Sequence, residues 1–104
     1  MDMREAQKRV DDWISQFGYW EPLANLARLT EEVGELARAI NLEHGPKPPK
    51  EGESANISEE MGDVLFMIIT LANQLNVDLS EVLEATVSKF EVRDSDRHTP
   101  TEAT

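Results

Sequence analysis

Apolar side chains recur along this chain at spacings of three and four rather than two, and they do so in four blocks. In the first, Ala6, Val10, Trp13, Ile14 and Phe17 fall on one helical face. They follow Asp2-Met3-Arg4-Glu5, the pattern of a capping box, in which an acid at each end satisfies amides left free by the first turn. Gly18 closes that block. Pro22 suits the opening turn of a second helix, where a missing N–H costs nothing. Leu23, Leu26, Ala27, Leu29, Val33, Leu36, Ala37 and Ile40 then carry an apolar face towards His44. The stretch GPKPPKEGESAN, residues 45–56, is rich in proline, glycine and charge and reads as a mobile loop. A third helix is expected from Ile57 or Ser58 to about Leu75. Asn76 and Asp78 mark a short turn, and Asp78-Leu79-Ser80-Glu81 is a second capping box. It opens a fourth helix through Leu79, Val82, Leu83, Val87 and Phe90. Strand signals are few. The expectation is an all-α, four-helix bundle-like protomer forming one domain over residues 1–97, with a flexible C-terminal tail at 98–104.

The third block changes that picture, because Phe66, Met67, Ile68 and Ile69 are apolar on nearly all sides of their helix. One small bundle cannot hide that much apolar surface, so a homo-oligomer is expected. Charge narrows the partners. Lysine and arginine number 10 against 21 acids, giving a formal net charge of -11. Such a surface repels duplex nucleic acid and anionic membranes. No apolar run approaches the roughly 18 residues a membrane span needs, and no leader pattern opens the chain. The absence of cysteine excludes disulfides and thiolate metal sites. Together these features predict a cytoplasmic protein.

The acids are patterned. LTEEVGELARAI (29–40) and ISEEMGDVLFMI (57–68) repeat a hydroxyl residue, two glutamates, a glycine and a third acid in register, 28 residues apart. Glu31 or Glu32 and Glu35 stand one helical turn apart, as do Glu60 and Asp63. Leu29, Val33 and Leu36 flank the first group, and Met61, Val64 and Leu65 the second, so the acids cannot all lie on a remote solvated face. A single E-E-x-x-E is ordinarily such a face; the second acidic group outweighs that reading. If the two helices pack antiparallel, the carboxylates converge, and like charges so placed require a proton or a cation. An all-oxygen donor set suits a hard ion, Mg²⁺ or Mn²⁺, above zinc. Gly34 and Gly62, inside helices beside the acids, suggest close approach of a helix or a ligand. Neither His44 nor His98 forms the Glu-x-x-His motif of a di-iron bundle, and no EF-hand loop or P-loop is present.

EEVGE (31–35), 24 further residues and EMGD (60–63) reproduce the E-E-x-x-E … E-x-x-D pattern, and KFEVR (89–93) follows it. In these motifs, and across residues 10 to 97, the chain resembles the compact MazG-like nucleotide pyrophosphohydrolases of the all-α NTP pyrophosphatase superfamily. That resemblance implies hydrolysis of a (d)NTP to the (d)NMP and pyrophosphate, in the role of nucleotide-pool house-cleaning. It implies that Glu32, Glu35, Glu60 and Asp63 ligate Mg²⁺, with Mn²⁺ as a substitute. Glu31 would assist a further ion or orient the attacking water, making Glu31 and Glu35 the catalytic candidates. It also implies dimers, sometimes paired into tetramers, with the active site near the subunit interface.

Phosphate binding needs fixed cations as well. Lys89, Arg93 and Arg97 recur every fourth residue on one face of the fourth helix, where they either meet phosphate or complement the helix dipole. Arg28 stands one turn before the first acidic group and suits either a phosphate contact or an ion pair with Glu31 or Glu32. Tyr19 and Trp20 could stack on a base or pack; Trp13 and Phe17 read as packing residues. Asn73, about three turns beyond Asp63, is a candidate for the sugar or base. Two alternatives stand beside this reading. One is a base-selective dUTPase-like or dCTPase-like relative. The other is a non-catalytic helical interaction protein whose acids form a structural cation site.

Overall fold

The computed structural model describes residues 1–94; Arg97 and the tail at 98–104 lie outside the described residues. Four helices follow in order: α1 Met3–Ile14, α2 Pro22–His44, α3 Ile57–Gln74 and α4 Leu79–Asp94. No strand occurs among the described residues, so the all-α expectation holds. No described helix is long and apolar enough to cross a membrane.

Local chemistry sets the boundaries. The Asp2 carboxylate accepts from the Glu5 amide at 2.8 Å while Glu5 accepts from the Asp2 amide at 3.2 Å, completing the expected capping box. α1 stops one turn earlier than its apolar pattern suggested. Gly18 takes a left-handed φ of 92° and its amide bonds back to the Ile14 carbonyl at 2.9 Å, so Phe17 sits in a turn. Asn56 caps α3 by accepting from the Glu59 amide. Asp78 does the same for α4, accepting from Ser80 and Glu81. These bonds, that of Glu81 foremost, and the nearby Arg4 guanidinium hold the Asp78 carboxyl below the usual carboxylate range.

α2 and α3 form an antiparallel hairpin; α1 packs across α3, and α4 rests mainly on α1. The junction of α1, α3 and α4 depends on Gln7. Its side-chain amide donates to Asn73 Oδ1 at 3.0 Å and to the Val77 carbonyl at 2.9 Å, and its Oε1 accepts from the Leu79 amide at 2.8 Å. Asn73 answers by donating to the Gln7 carbonyl at 2.8 Å. The buried apolar residues among those described are only Ala39, Met67, Ile69 and Ala72. The radius of gyration is 17.4 Å, against about 13 Å for a compact chain of 100 residues.

The segment between α2 and α3 follows a defined path. A turn bonds the Glu53 amide to the Lys50 carbonyl at 3.0 Å, with Gly52 at a φ of 85°. Gly45 passes so close to Asn41 that a Cβ would overlap the Asn41 backbone. The interior glycines are a correction: a Cβ on Gly34 or Gly62 would meet nothing within 4 Å. Neither therefore marks a close approach within this chain, because both lie off the α2–α3 seam.

Gln7→Ala removes both amide donors and the acceptor that caps α4. It is expected to lower unfolding free energy by about 1–3 kcal/mol, measured by urea denaturation.

Candidate active site

Along the α2–α3 seam, Asn25 Nδ2 of α2 donates to Gln74 Oε1 of α3 at 2.9 Å near one end. Midway, Glu32 faces Glu60 and Asp63, and one carboxylate oxygen from each lies within 4.8 Å of the others. Glu32 and Glu60 are half-buried and Asp63 is exposed. The antiparallel arrangement thus brings the two acidic motifs together. Partial burial, followed by the charges of Asp63, Glu35 and Glu32, pushes the Glu60 carboxyl up. Glu35 therefore acts on the cluster electrostatically, although it is exposed and outside the three-acid group. Glu31 is exposed and also outside that group. Arg28 is engaged with Glu32, its Nε donating to Oε1 at 3.0 Å. Three carboxylates that repel one another, without thiol or imidazole among them, fit a hard divalent cation.

Against the cluster lies a cleft of about 400 Å³, with Arg28, Glu32 and Asp63 on its wall. Its remaining lining is largely aromatic and apolar, including Trp13, Phe17, Trp20, Phe66 and Met67, with Thr70. Trp13 meets Phe17 and Phe66 edge-on at centroid distances of 5.4 and 6.1 Å. Trp13 and Phe17, expected as packing residues, form walls of this cleft because α1 ends early and turns across α3. Trp20 is 61% exposed, but its backbone is fixed. Asn25 Nδ2 and Gln74 Nε2 both donate to its carbonyl, at 3.3 and 2.5 Å. Tyr19 donates to Asp11 Oδ1 at 2.5 Å. Burial and that carboxylate push its phenol up to about 12.

Several candidates are placed elsewhere. Asn73 does not line the cleft; its amide is committed to Gln7. Lys89 and Arg93 also lie outside the cleft lining, with both cations over the Phe90 ring, at 5.0 and 4.6 Å from its centroid. Sequence reasoning missed Asn25, only 4% exposed, which fixes the Trp20 wall. Its one signal was an amide interrupting an apolar helix face.

The MazG nucleotide pyrophosphohydrolase domain profile matches residues 21–98, which include both acidic motifs. The chain belongs to the MazG family. It is accordingly a hydrolase of the nucleotide pyrophosphohydrolase class. The MazG chain is 49% identical over 100 residues to protein YpjD of Bacillus subtilis (strain 168), covering 93% of this chain and 90% of that one. It is 40% identical over 86 residues to dCTP pyrophosphatase 1 of Mus musculus, covering 77% of this chain but 46% of that protein. The crystal structure of the Bacillus-conserved MazG protein, a nucleotide pyrophosphohydrolase, superposes with a TM-score of 0.77 at 47% identity. That match covers 92% of this chain and 96% of the other. iMazG from Vibrio DAT 722 superposes with a TM-score of 0.66 at 27% identity, covering 89% and 97%.

Tyr19 is the one tyrosine of the chain, so phenolate absorbance reads it directly. Its ionisation is expected near 12 in the folded protein, against about 10 after unfolding. Because the unfolded chain then loses its proton first, stability falls as pH rises between those values, and Tyr19→Phe should flatten that fall.

Proposed function

We propose that this chain is a Mg²⁺-dependent nucleoside triphosphate pyrophosphohydrolase, with Mn²⁺ as a substitute, converting (d)NTP and water to (d)NMP and pyrophosphate. The observation that carries this reading is the convergence of Glu32, Glu60 and Asp63 beside an aromatic cleft. Those three carboxylates, with Glu35, would hold the cation. When bound, the cation neutralises phosphate charge and acidifies water. Glu35 and Glu31 then orient the attacking water and accept its proton. Arg28, at the cleft wall and bonded to Glu32, would turn to a phosphate. Trp20 and the neighbouring rings exclude water and offer faces on which a base stacks. The biological role that fits is clearance of unwanted or non-canonical nucleotides.

The working form is a homo-oligomer, a dimer or a tetramer. Val82, Leu83, Val87 and Phe90 leave a largely exposed apolar face on α4, and a second copy is the cover it fits. Assembly would also bring Lys89, Arg93 and Arg97 towards phosphates. A base-selective enzyme is the second reading, favoured by the 40% identity to a dCTP pyrophosphatase.

The test is pyrophosphate release from a panel of canonical and modified (d)NTPs, with Mg²⁺ and with chelator. Release should require the metal and fall by about 100-fold or more in Glu35→Gln and in Asp63→Asn, both still helical by circular dichroism. No pyrophosphate from any nucleotide, or orthophosphate instead, defeats the proposal and leaves a structural cation site. A single strongly preferred nucleotide supports the base-selective reading. Light scattering should give two or four times the 11.7 kDa chain mass; a monomer would refute the assembly.

A further inference from the structure

Asn25 and Thr70 are the two buried polar residues among those described, each 4% exposed, and both line the aromatic cleft. A buried polar group costs stability unless it is bonded, and each of these is bonded in one direction only. Asn25 Nδ2 donates to the Trp20 carbonyl at 3.3 Å and to Gln74 Oε1 at 2.9 Å. Gln74 Nε2 donates to that same carbonyl. A backbone carbonyl only accepts, so it fixes which way both amides face. Flipping Asn25 would set its oxygen against two other oxygens. Oδ1 therefore points away from Trp20 and Gln74, and no described donor reaches it. No buried side-chain oxygen among the described residues lacks a partner, so this one is open, and the cleft is the space that Asn25 lines. Thr70 is alike. Its hydroxyl donates to the Phe66 carbonyl at 2.9 Å, which leaves only lone pairs for the cleft.

Helical periodicity sets these acceptors at one end of the cleft and the acids at the other. Asn25, Arg28 and Glu32 follow at steps of three and four on α2 and share a face. Asp63, Met67, Thr70 and Gln74 do the same on α3. All but Gln74 line the cleft. Because the helices run antiparallel, the register that sets Glu32 against Asp63 also sets Asn25 against Thr70. On each helix seven steps separate acceptor from acid, roughly 10 Å at the helical rise. A nucleoside bridges such a gap, with its phosphorus at the acids and the edge of its base at the acceptors.

We propose that Asn25 and Thr70 select bases bearing an exocyclic amino group, as cytosine and adenine do, over their oxo counterparts uracil and hypoxanthine. This rests on the pyrophosphohydrolase reading above. An amino group carries two N–H donors, one for Asn25 Oδ1 and one for Thr70 Oγ1. An oxo group at the same place brings a third oxygen to two that have no proton to offer. Both buried acceptors then stay unpaired, which is where a hydrogen-bonding site discriminates most sharply. Neither acceptor can turn to adapt, since the Trp20 carbonyl holds one and the Phe66 carbonyl the other. Stacking on the surrounding rings, by contrast, accepts every base. Deaminated nucleotides are then the poor substrates, and the clearance proposed above falls on amino-bearing bases.

The test compares kcat/KM for dCTP with dUTP and for dATP with dITP, pairs that exchange an amino for an oxo group, using the full-length chain with Mg²⁺. Wild type should prefer the amino member of each pair by about tenfold or more. Thr70→Val keeps the shape but loses the acceptor, and should cut that ratio by about fivefold. Thr70→Ser keeps a hydroxyl and should restore it. Asn25→Ala should bring the ratio close to one. Asn25 also holds the Trp20 backbone, so a merely structural role would weaken both members of a pair alike. That result, a wild-type ratio near one, or a ratio that neither variant moves overturns the proposal. Calorimetric titration with dCMP and with dUMP reads the base contact without turnover. Binding of dCMP about tenfold tighter, with the difference reduced in Thr70→Val, supports it. Equal binding of the two, or binding of neither, refutes it. A wild type that releases no pyrophosphate defeats the catalytic reading alone, and the titration still decides the base contact.

Discussion

Glu32, Glu60 and Asp63 are held together by a hairpin that gains nothing from their meeting. Like charges separated by a few ångströms in a half-buried setting repel, and burial first, then those neighbouring charges, push the Glu60 carboxyl up. The seam must therefore be fastened elsewhere. Among the described residues, Met67, Ile69 and Ala72 of α3 and Ala39 of α2 are the buried apolar ones. Asn25 ties the far end through Gln74 and the Trp20 carbonyl. Arg28 removes part of the repulsion by occupying Glu32. The rest of the molecule is arranged around a strained charge cluster, and a site built this way has a cation as its natural complement.

The surroundings divide this strain by type of side chain. On one side of the acids, rings from α1, the 15–21 turn and α3 make an aromatic wall. Further along, α2 and a proline-bracketed loop bring together three of the chain's ten lysines and arginines. Both walls are anchored by backbone or amide hydrogen bonds rather than by bulk packing, in keeping with how small the core is. A helix end, Gly18, and a turn glycine, Gly52, each take a left-handed φ where those walls change direction.

Much of this was legible in the sequence. The Asp2 capping box, the Asp78 cap, Pro22 and apolar spacing placed all four helices, because local hydrogen bonding fixes helix ends. The acidic motifs were legible because side chains one turn apart share a face. What escaped were contacts made across long stretches of chain. Gln7 and Asn73 lie 66 positions apart, and nothing local announces that they bond; Asn73 looked free for a ligand for that reason. Gly34 and Gly62 looked like points of close approach, yet they face open space. The face of a helix residue is set by its periodicity, but what stands opposite that face is set by tertiary packing.

The smallness of the core has a consequence for the life of a newly made chain. With Ala39, Met67, Ile69 and Ala72 as the buried apolar residues among those described, a solitary copy leaves its sticky faces bare. If a second copy covers them, as proposed, how long they stay bare depends on encounter frequency, which falls with dilution. Abundance in the cell would then do part of the work that a larger interior does in other domains.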